Sequence, residues 1–381
     1  MKPWPTVRLG EVLTSTARGE RPVPGTAYRQ IGVKLWGEGA YEREQMDGGA
    51  TKYTQLFRAE TDDVIVNKIW ARNGSVAVVP SALAGCFGSG EFPMFAPKCD
   101  RLEPRWMHWL TKTPGFWAQC DEKSQGTSGK NRIKPEQFLR VEIPLPPLAE
   151  QRWVVARIEE LAAQIHEART LRHQASEETE ALCRAILAND TQARLTPMSE
   201  LVHLRPPDVA VQASEDYQFA GVYCFGRGVF RSQAKSGMEF AYPRLTRLRT
   251  GNFVYPKLMA WEGAFGVVPP ECDACVVSTE FPVFEVNEDL VCPEVLDTYF
   301  RTPAVWPEVA GESTGTNVRR RRLNPQDFLN YKMPLASRKT QLLLRDVRAQ
   351  VATLKHLQSE TAAELDALLP AILDRAFKGE L

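Results

Sequence analysis

The sequence predicts an α+β chain in which one fold is written twice. Two tandem domains of mixed strands and short helices are separated by two long antiparallel helices, which form a coiled coil about a pseudo-twofold. Three observations predict this. The 381 residues align with themselves at a shift of 189 positions; two stretches of 3.6-residue apolar periodicity close the two halves; short period-two runs fill what remains. The expected boundaries are a first domain at 1–146, a first helix at 147–190, a second domain at 191–336 and a second helix at 337–381.

The repeat rests on ungapped matches. Tyr28 and Gly32 meet Tyr217 and Gly221; Leu56, Lys68, Gly74 and Pro80 meet Leu245, Lys257, Gly263 and Pro269. Glu91-Phe92-Pro93 falls on Glu280-Phe281-Pro282, Trp117 on Trp306 and Gly126-Thr127 on Gly315-Thr316. After one inserted residue, Pro135, Phe138 and Pro144-Leu145 meet Pro325, Phe328 and Pro334-Leu335. A period of this length is far beyond that of a solenoid, so the copies are whole domains.

Within each domain, runs such as Val64-Ile65-Val66, Val76 to Val79 and Phe92 to Phe95 are bounded by Gly, Pro and Asp, as strands are. Residues 104–119 and 293–306 read as short helices. From Pro147 the period changes: Val154, Ile158, Leu161, Ile165, Ala168, Leu171, Ala175, Leu182 and Ile186 recur three or four apart, with one gap at 177–180. The second stripe is Leu344, Val347, Val351, Leu354, Thr361, Leu365, Leu368 and Ile372, with a kink expected at Pro370. A helix over 147–188 is about 60 Å long at ~1.5 Å per residue. With one apolar face and no core of its own it needs a partner, and the other copy supplies one.

Composition narrows the function. With 47 Lys+Arg against 47 Asp+Glu the chain is formally neutral, which argues against indiscriminate coating of polyanions but not against local binding. The eight cysteines are scattered in a chain too long to need disulfide staples, the N-terminus lacks a signal-peptide apolar region, and no run approaches a membrane span; a cytoplasmic protein with no membrane contact is expected. There is no GxxxxGK[ST] loop, no HExxH and no Asn/Asp-Pro-Pro-aromatic motif. Cys272 and Cys275 form a lone CxxC without a second ligand pair, so two buried thiols are expected rather than a metal site. The five histidines do not cluster and no nucleophile–base pair stands out. The pattern is that of a binding protein without catalytic residues, cofactor or metal.

Charge is distributed unevenly. Residues 1–143 carry 20 basic and 16 acidic side chains, 144–190 carry 5 and 8, 191–336 carry 15 and 17, and 337–381 carry 7 and 6. Two basic clusters stand at equivalent places. Thr127 and Ser128 precede Lys130, Asn131 and Arg132; Thr316 and Asn317 precede Arg319, Arg320, Arg321 and Arg322. Small hydroxyls and turn N–H groups suit phosphate, and Arg and Asn suit the major-groove edges of guanine and adenine. A solvated basic loop that touches nothing is the alternative. A second candidate loop follows Lys68 and Lys257: Trp70, Arg72 and Asn73 in one copy, Trp261 and Glu262 in the other. Glu262 can accept from a cytosine amino group, while Trp261 could equally be core. Lys34 and Trp36, equivalent to Tyr223 and Phe225, complete the set. Shared glycines between divergent polar tips are what a scaffold with two different specificities would carry.

The run Ile143-Pro144-Leu145-Pro146-Pro147-Leu148-Ala149-Glu150-Gln151-Arg152, opening a long helix, resembles the specificity (S) subunits of type I restriction–modification systems. So do Gly126-Thr127-Ser128 with Ile133-Lys134-Pro135-Glu136-Gln137-Phe138, the start Val7-Arg8-Leu9-Gly10-Glu11-Val12, and the end Ile372 to Leu381. The resemblance spans essentially the whole chain. It implies two target-recognition domains, each reading one half of an asymmetric, split sequence in double-stranded DNA. The long helices would be the spacer and would dock two methyltransferase (modification) subunits, with restriction/translocase subunits as further partners. S-adenosylmethionine would belong to the methyltransferases and no cofactor to this chain. The setting implied is a bacterial or archaeal cytoplasm. The second copy departs from the pattern, reading Met333-Pro334-Leu335-Ala336-Ser337-Arg338-Lys339-Thr340-Gln341, without the double proline or the Glu. A different class also stays open: a scaffold whose long helices form a coiled-coil dock for protein partners.

Overall fold

The computed structural model describes residues 4–16, 18–124, 131–311 and 322–381. Packing divides the chain into two compact units, residues 1–170 with 361–381 and residues 171–360. The long helix Leu148–Ala188 gives its first part to one unit and its last part to the other. The final segment is divided likewise: Arg338–Glu360 belongs to the second unit and Ala362–Lys378 to the first.

In the first unit a four-stranded antiparallel sheet has the order Leu13–Ser15, Met94–Pro97, Val64–Val66, Val76–Val78. A five-stranded sheet runs Gly19–Glu20, Leu56–Arg58, Phe87–Gly88, Ala27–Val33, Ala40–Asp47, with one parallel pairing at Gln30 and Phe87. Every residue of Val64-Ile65-Val66 is buried because both faces of the smaller sheet are covered. Val64 and Val66 belong to the larger core with Phe95, Trp106 and Phe138, while Ile65 packs with Ile31, Val33 and Met94 beneath the five-stranded sheet. Val154, Ile158, Leu373 and Ala376 join the larger core, so the unit's two helix segments close its open side. They run antiparallel, with Arg169 donating to Asp366 at 2.8 Å beyond those apolar contacts.

The second unit repeats the topology strand for strand. Its four-stranded sheet is Val202–Leu204, Val283–Val286, Phe253–Val254, Gly266–Val267, and its five-stranded sheet ends in the hairpin Asp216–Tyr223/Gly228–Ser236. The core is more aromatic: Phe253, Tyr255, Phe265, Phe284, Phe300 and Phe328 are fully buried against one another.

The structure shifts part of the expected helical stripes. Leu171, Ala175 and Leu182 are exposed; past residue 170 the inward positions are Arg172, Ser176, Glu180 and Cys183. There the interface is largely polar. Glu180 pairs with Arg348 at 3.0 Å and Lys355 at 2.9 Å, and a periodicity counted on apolar residues alone does not see it. Leu354, Thr361 and Leu368 are likewise exposed. The second helix is interrupted at Thr361, while Pro370 lies inside the helix Ala362–Lys378, nine positions further on.

Candidate nucleic-acid interface

Each unit carries the same braced tip. In the first, the loop after Val64–Val66 makes a 3-10 turn at Ala71–Asn73 that ends on Gly74. Trp36 N–H donates to Asn73 O (2.7 Å) and Gly37 N–H to Gly74 O (3.1 Å), fastening this loop to the turn of the long hairpin. In the second, Phe225 N–H donates to Glu262 O (2.8 Å) and Gly226 N–H to Gly263 O (3.0 Å). Trp36 and Phe225 both hold positive φ, 57° and 61°, which carries their rings out into solvent. Gly74 is left-handed at φ 76°, and a Cβ there would stand 2.7 Å from the Trp117 ring; Gly263 faces Trp306 in the same way. That close approach is why the glycines recur.

A cation braces each tip from below. Lys112 Nζ donates to Gly37 O at 2.9 Å, and Arg301 Nε donates to Gly226 O. Lys112 is half buried, and that burial, beside Arg105, lowers its pKa. In the second unit the brace continues inward: Arg301 pairs with Asp297 at 2.9 Å, Asp297 with Arg348, and Arg348 with Glu180 of the long helix. At the position equivalent to Asp297 the first unit has His108, whose pKa burial first, then Lys112 and Arg105, pushes down to about 3.

The basic clusters are reached only in part. Thr127, Ser128, Lys130, Thr316, Asn317, Arg319, Arg320 and Arg321 lie outside the described residues. Both clusters end in one arrangement, however. Arg132 sits 3.4 Å from Glu91 and Ile133 N–H donates to Lys68 O at 2.9 Å; Arg322 sits 3.3 Å from Glu280 and Leu323 N–H donates to Lys257 O at 3.0 Å. Glu91 and Glu280 in turn accept backbone bonds from Lys68 and Lys257. The structure therefore brings Lys68 and Arg132 together, and Lys257 and Arg322. The lysine ammonium groups are engaged, Lys68 4.0 Å from Glu91 and Lys257 donating to Thr279 O at 2.8 Å. Lys34 is exposed and pairs with Glu38 at 3.6 Å; Asn131 is half-buried. Trp70 is exposed with Arg72 above its ring, and Trp261 is half-buried with its indole N–H lacking a protein partner.

Sequence reasoning missed Lys112, Arg301, Arg227 and the Asp297–Arg348–Glu180 chain. Glu91 and Glu280 were visible as repeated letters, and their role follows from the repeat. Cys272 and Cys275 are buried, and burial pushes the Cys272 thiol up to about 11. Among the described residues no three His, Cys, Asp or Glu groups are placed to hold a metal, and no helix is long and apolar enough to cross a membrane.

The chain is thus two copies of one α+β fold, each presenting a braced tip with different side chains. Residues 1–172 match the family model described as the type I restriction modification DNA specificity domain. Over its whole length the chain is similar to the HsdS subunit from Thermoanaerobacter tengcongensis, at 25% identity and a TM-score of 0.55, covering 100% of this chain and 98% of that one. It also shares its fold with a chain from a structure concerned with complex assembly and conformational transition of the type I R-M system, at 22% identity and a TM-score of 0.67, covering 100% and 99%. Comparison with curated protein sequences gives no match.

Proposed function

We propose that the chain is the non-catalytic, sequence-reading subunit of a type I restriction–modification complex. Each unit reads one half of an asymmetric, bipartite site in double-stranded DNA. The paired helices dock two methyltransferase subunits, which carry the S-adenosylmethionine chemistry, and restriction/translocase subunits join the same assembly. One observation carries this reading: the bridge from hairpin to loop is the same in both units, bond for bond, while the side chains on it differ. A conserved frame with divergent tips is the arrangement expected when two different half-sites are read by one fold.

In this reading the basic clusters at 130–132 and 319–322, with Thr127, Ser128, Thr316 and Asn317, grip phosphates or base edges. The exposed leucines Leu343, Leu354 and Leu357 on the second unit's helix, and Trp153 on the first unit's, supply apolar surface for partner subunits.

The test is methylation mapping in a host expressing the chain with a type I methyltransferase subunit. A split methylated motif is expected, and replacing Arg319 to Arg322 with alanine should relax only one of its halves. Methylation without sequence bias, or a complex that binds the methyltransferase but no DNA, would sink the proposal.

A further inference from the structure

We propose that each unit reads a guanine through one aromatic-backed arginine, Arg72 in the first unit and Arg227 in the second, supplied from opposite sides of the bridged tip. The proposal rests on the DNA-reading role proposed above and names the residues and base that carry it.

The repeat makes the comparison direct. On the loop side of the bridge, Arg72 and Asn73 of the first unit correspond to Trp261 and Glu262 of the second. On the hairpin side, Lys34 and Glu38 correspond to Tyr223 and Arg227. The first unit therefore has its arginine on the loop and a carboxylate on the hairpin; the second has a carboxylate on the loop and its arginine on the hairpin. In the first unit Glu38 is paired with Lys34 at 3.6 Å, which takes the hairpin out of contention.

Both arginines are held by rings. The Arg72 guanidinium lies 5.9 Å from the centre of the exposed Trp70 ring, and that of Arg227 lies 4.6 Å from the exposed Tyr223 ring. Tyr223 is itself stacked on Phe230, with centroids 3.9 Å apart, so the platform is rigid. Arg227 Nε donates to Cys224 O at 3.3 Å, and among the described residues its two terminal nitrogens carry no hydrogen bond. Among the described residues neither guanidinium forms an ion pair with a carboxylate within 4.0 Å. A guanidinium over an aromatic ring with its terminal nitrogens free can make two parallel hydrogen bonds, and guanine O6 and N7 are the base edge that accepts them. A lysine keeps the charge but not the fork.

The experiment uses the complex of the full chain with its methyltransferase subunits, and a duplex library randomised across the recognised site. Wild type is compared with R72K, R227K and R227Q. For both Arg227 variants we expect the preference for G·C at one position of one half-site to fall roughly 10- to 100-fold. The other half-site should be unchanged and the thermal melt should stay within a degree or two of wild type. R72K should do the same in the opposite half-site, and both lysine variants should keep wild-type affinity for non-specific DNA. Unchanged base preferences in the variants, or a loss spread evenly over all sequences, would overturn the assignment of these arginines while leaving DNA reading intact. A wild-type complex with no preference at all would overturn both.

Discussion

Gln151 and Gln341, one on each long helix, make the same three hydrogen bonds in their own units. Gln151 Oε1 accepts from Glu103 N–H (2.9 Å), and its Nε2 donates to Arg101 O (2.9 Å) and Pro146 O (2.8 Å). Gln341 Oε1 accepts from Cys292 N–H (3.0 Å), and its Nε2 donates to Leu290 O (3.1 Å) and Ala336 O (2.9 Å). Both side chains are buried, so each amide pins the start of a helix to its globular domain. Gln151→Ala or Gln341→Ala strands three backbone groups and should cost about 2–3 kcal/mol. Denaturant melts would check it, and a loss under half a kcal/mol in either variant would mean water replaces the amide.

Gly74→Ala tests whether the bridge, rather than the side chains on it, holds the reading geometry. A Cβ there meets the Trp117 ring, and the backbone is left-handed. We expect lower stability, by about 1–3 kcal/mol, and weaker readout of one half-site. Gly263→Ala should affect the other half-site through Trp306. Equal loss at both half-sites from either variant would show that the tips do not act separately.

Much of this was legible in the letters. The repeat, several strands, the two long helices and the equivalence of the loops at 70–74 and 259–263 were legible, because glycines, prolines and buried aliphatics occupy positions that tolerate little else. The second copy looked degenerate at its helix entry, where Glu150 becomes Thr340. The structure shows that the position doing the pinning is the next one, and it is kept. What stayed hidden were interactions whose partners are remote in sequence and polar. Arg301 beneath Gly226 and Glu180 beside Arg348 leave no periodic trace, and neither does an arginine that moves from loop to hairpin between copies.

The Glu180–Arg348–Asp297–Arg301 chain ties the second unit's helix pair to the carbonyl of Gly226 at its tip. Arg348 is largely buried between two carboxylates, which raise its pKa against the opposing effect of desolvation. Arg348→Met takes one cation from each of Asp297 and Glu180, which keep Arg301 and Lys355, and should destabilise by about 1–3 kcal/mol. E180Q/D297N/R348M, which removes the charges together, should recover part of that loss. Calorimetry on the set would decide, and additive losses would rule out coupling through Arg348.

The first unit should respond to acid through a histidine, His108, where the second unit has Asp297 at the equivalent place. His108 is held neutral by burial and by the neighbouring Lys112 and Arg105, with its pKa down at about 3. In the unfolded chain it titrates near ~6.5. Below that pH the unfolded state therefore binds a proton that the folded state refuses. Its contribution is complete above about pH 6.5 and is lost as pH falls toward 3, at a rate of no more than about 1.4 kcal/mol per pH unit. Protonation would also set a second positive charge beside Lys112, whose ammonium holds Gly37 O. Melts of wild type and His108→Leu at pH 8 and pH 5 should show a difference that shifts between the two pH values in favour of the leucine variant. Because the folded protein keeps His108 neutral at pH 5, selectivity for the first unit's half-site should be the same at pH 5 as at pH 8 while stability falls. A stability difference that does not change with pH would mean that His108 takes up its proton in the folded protein.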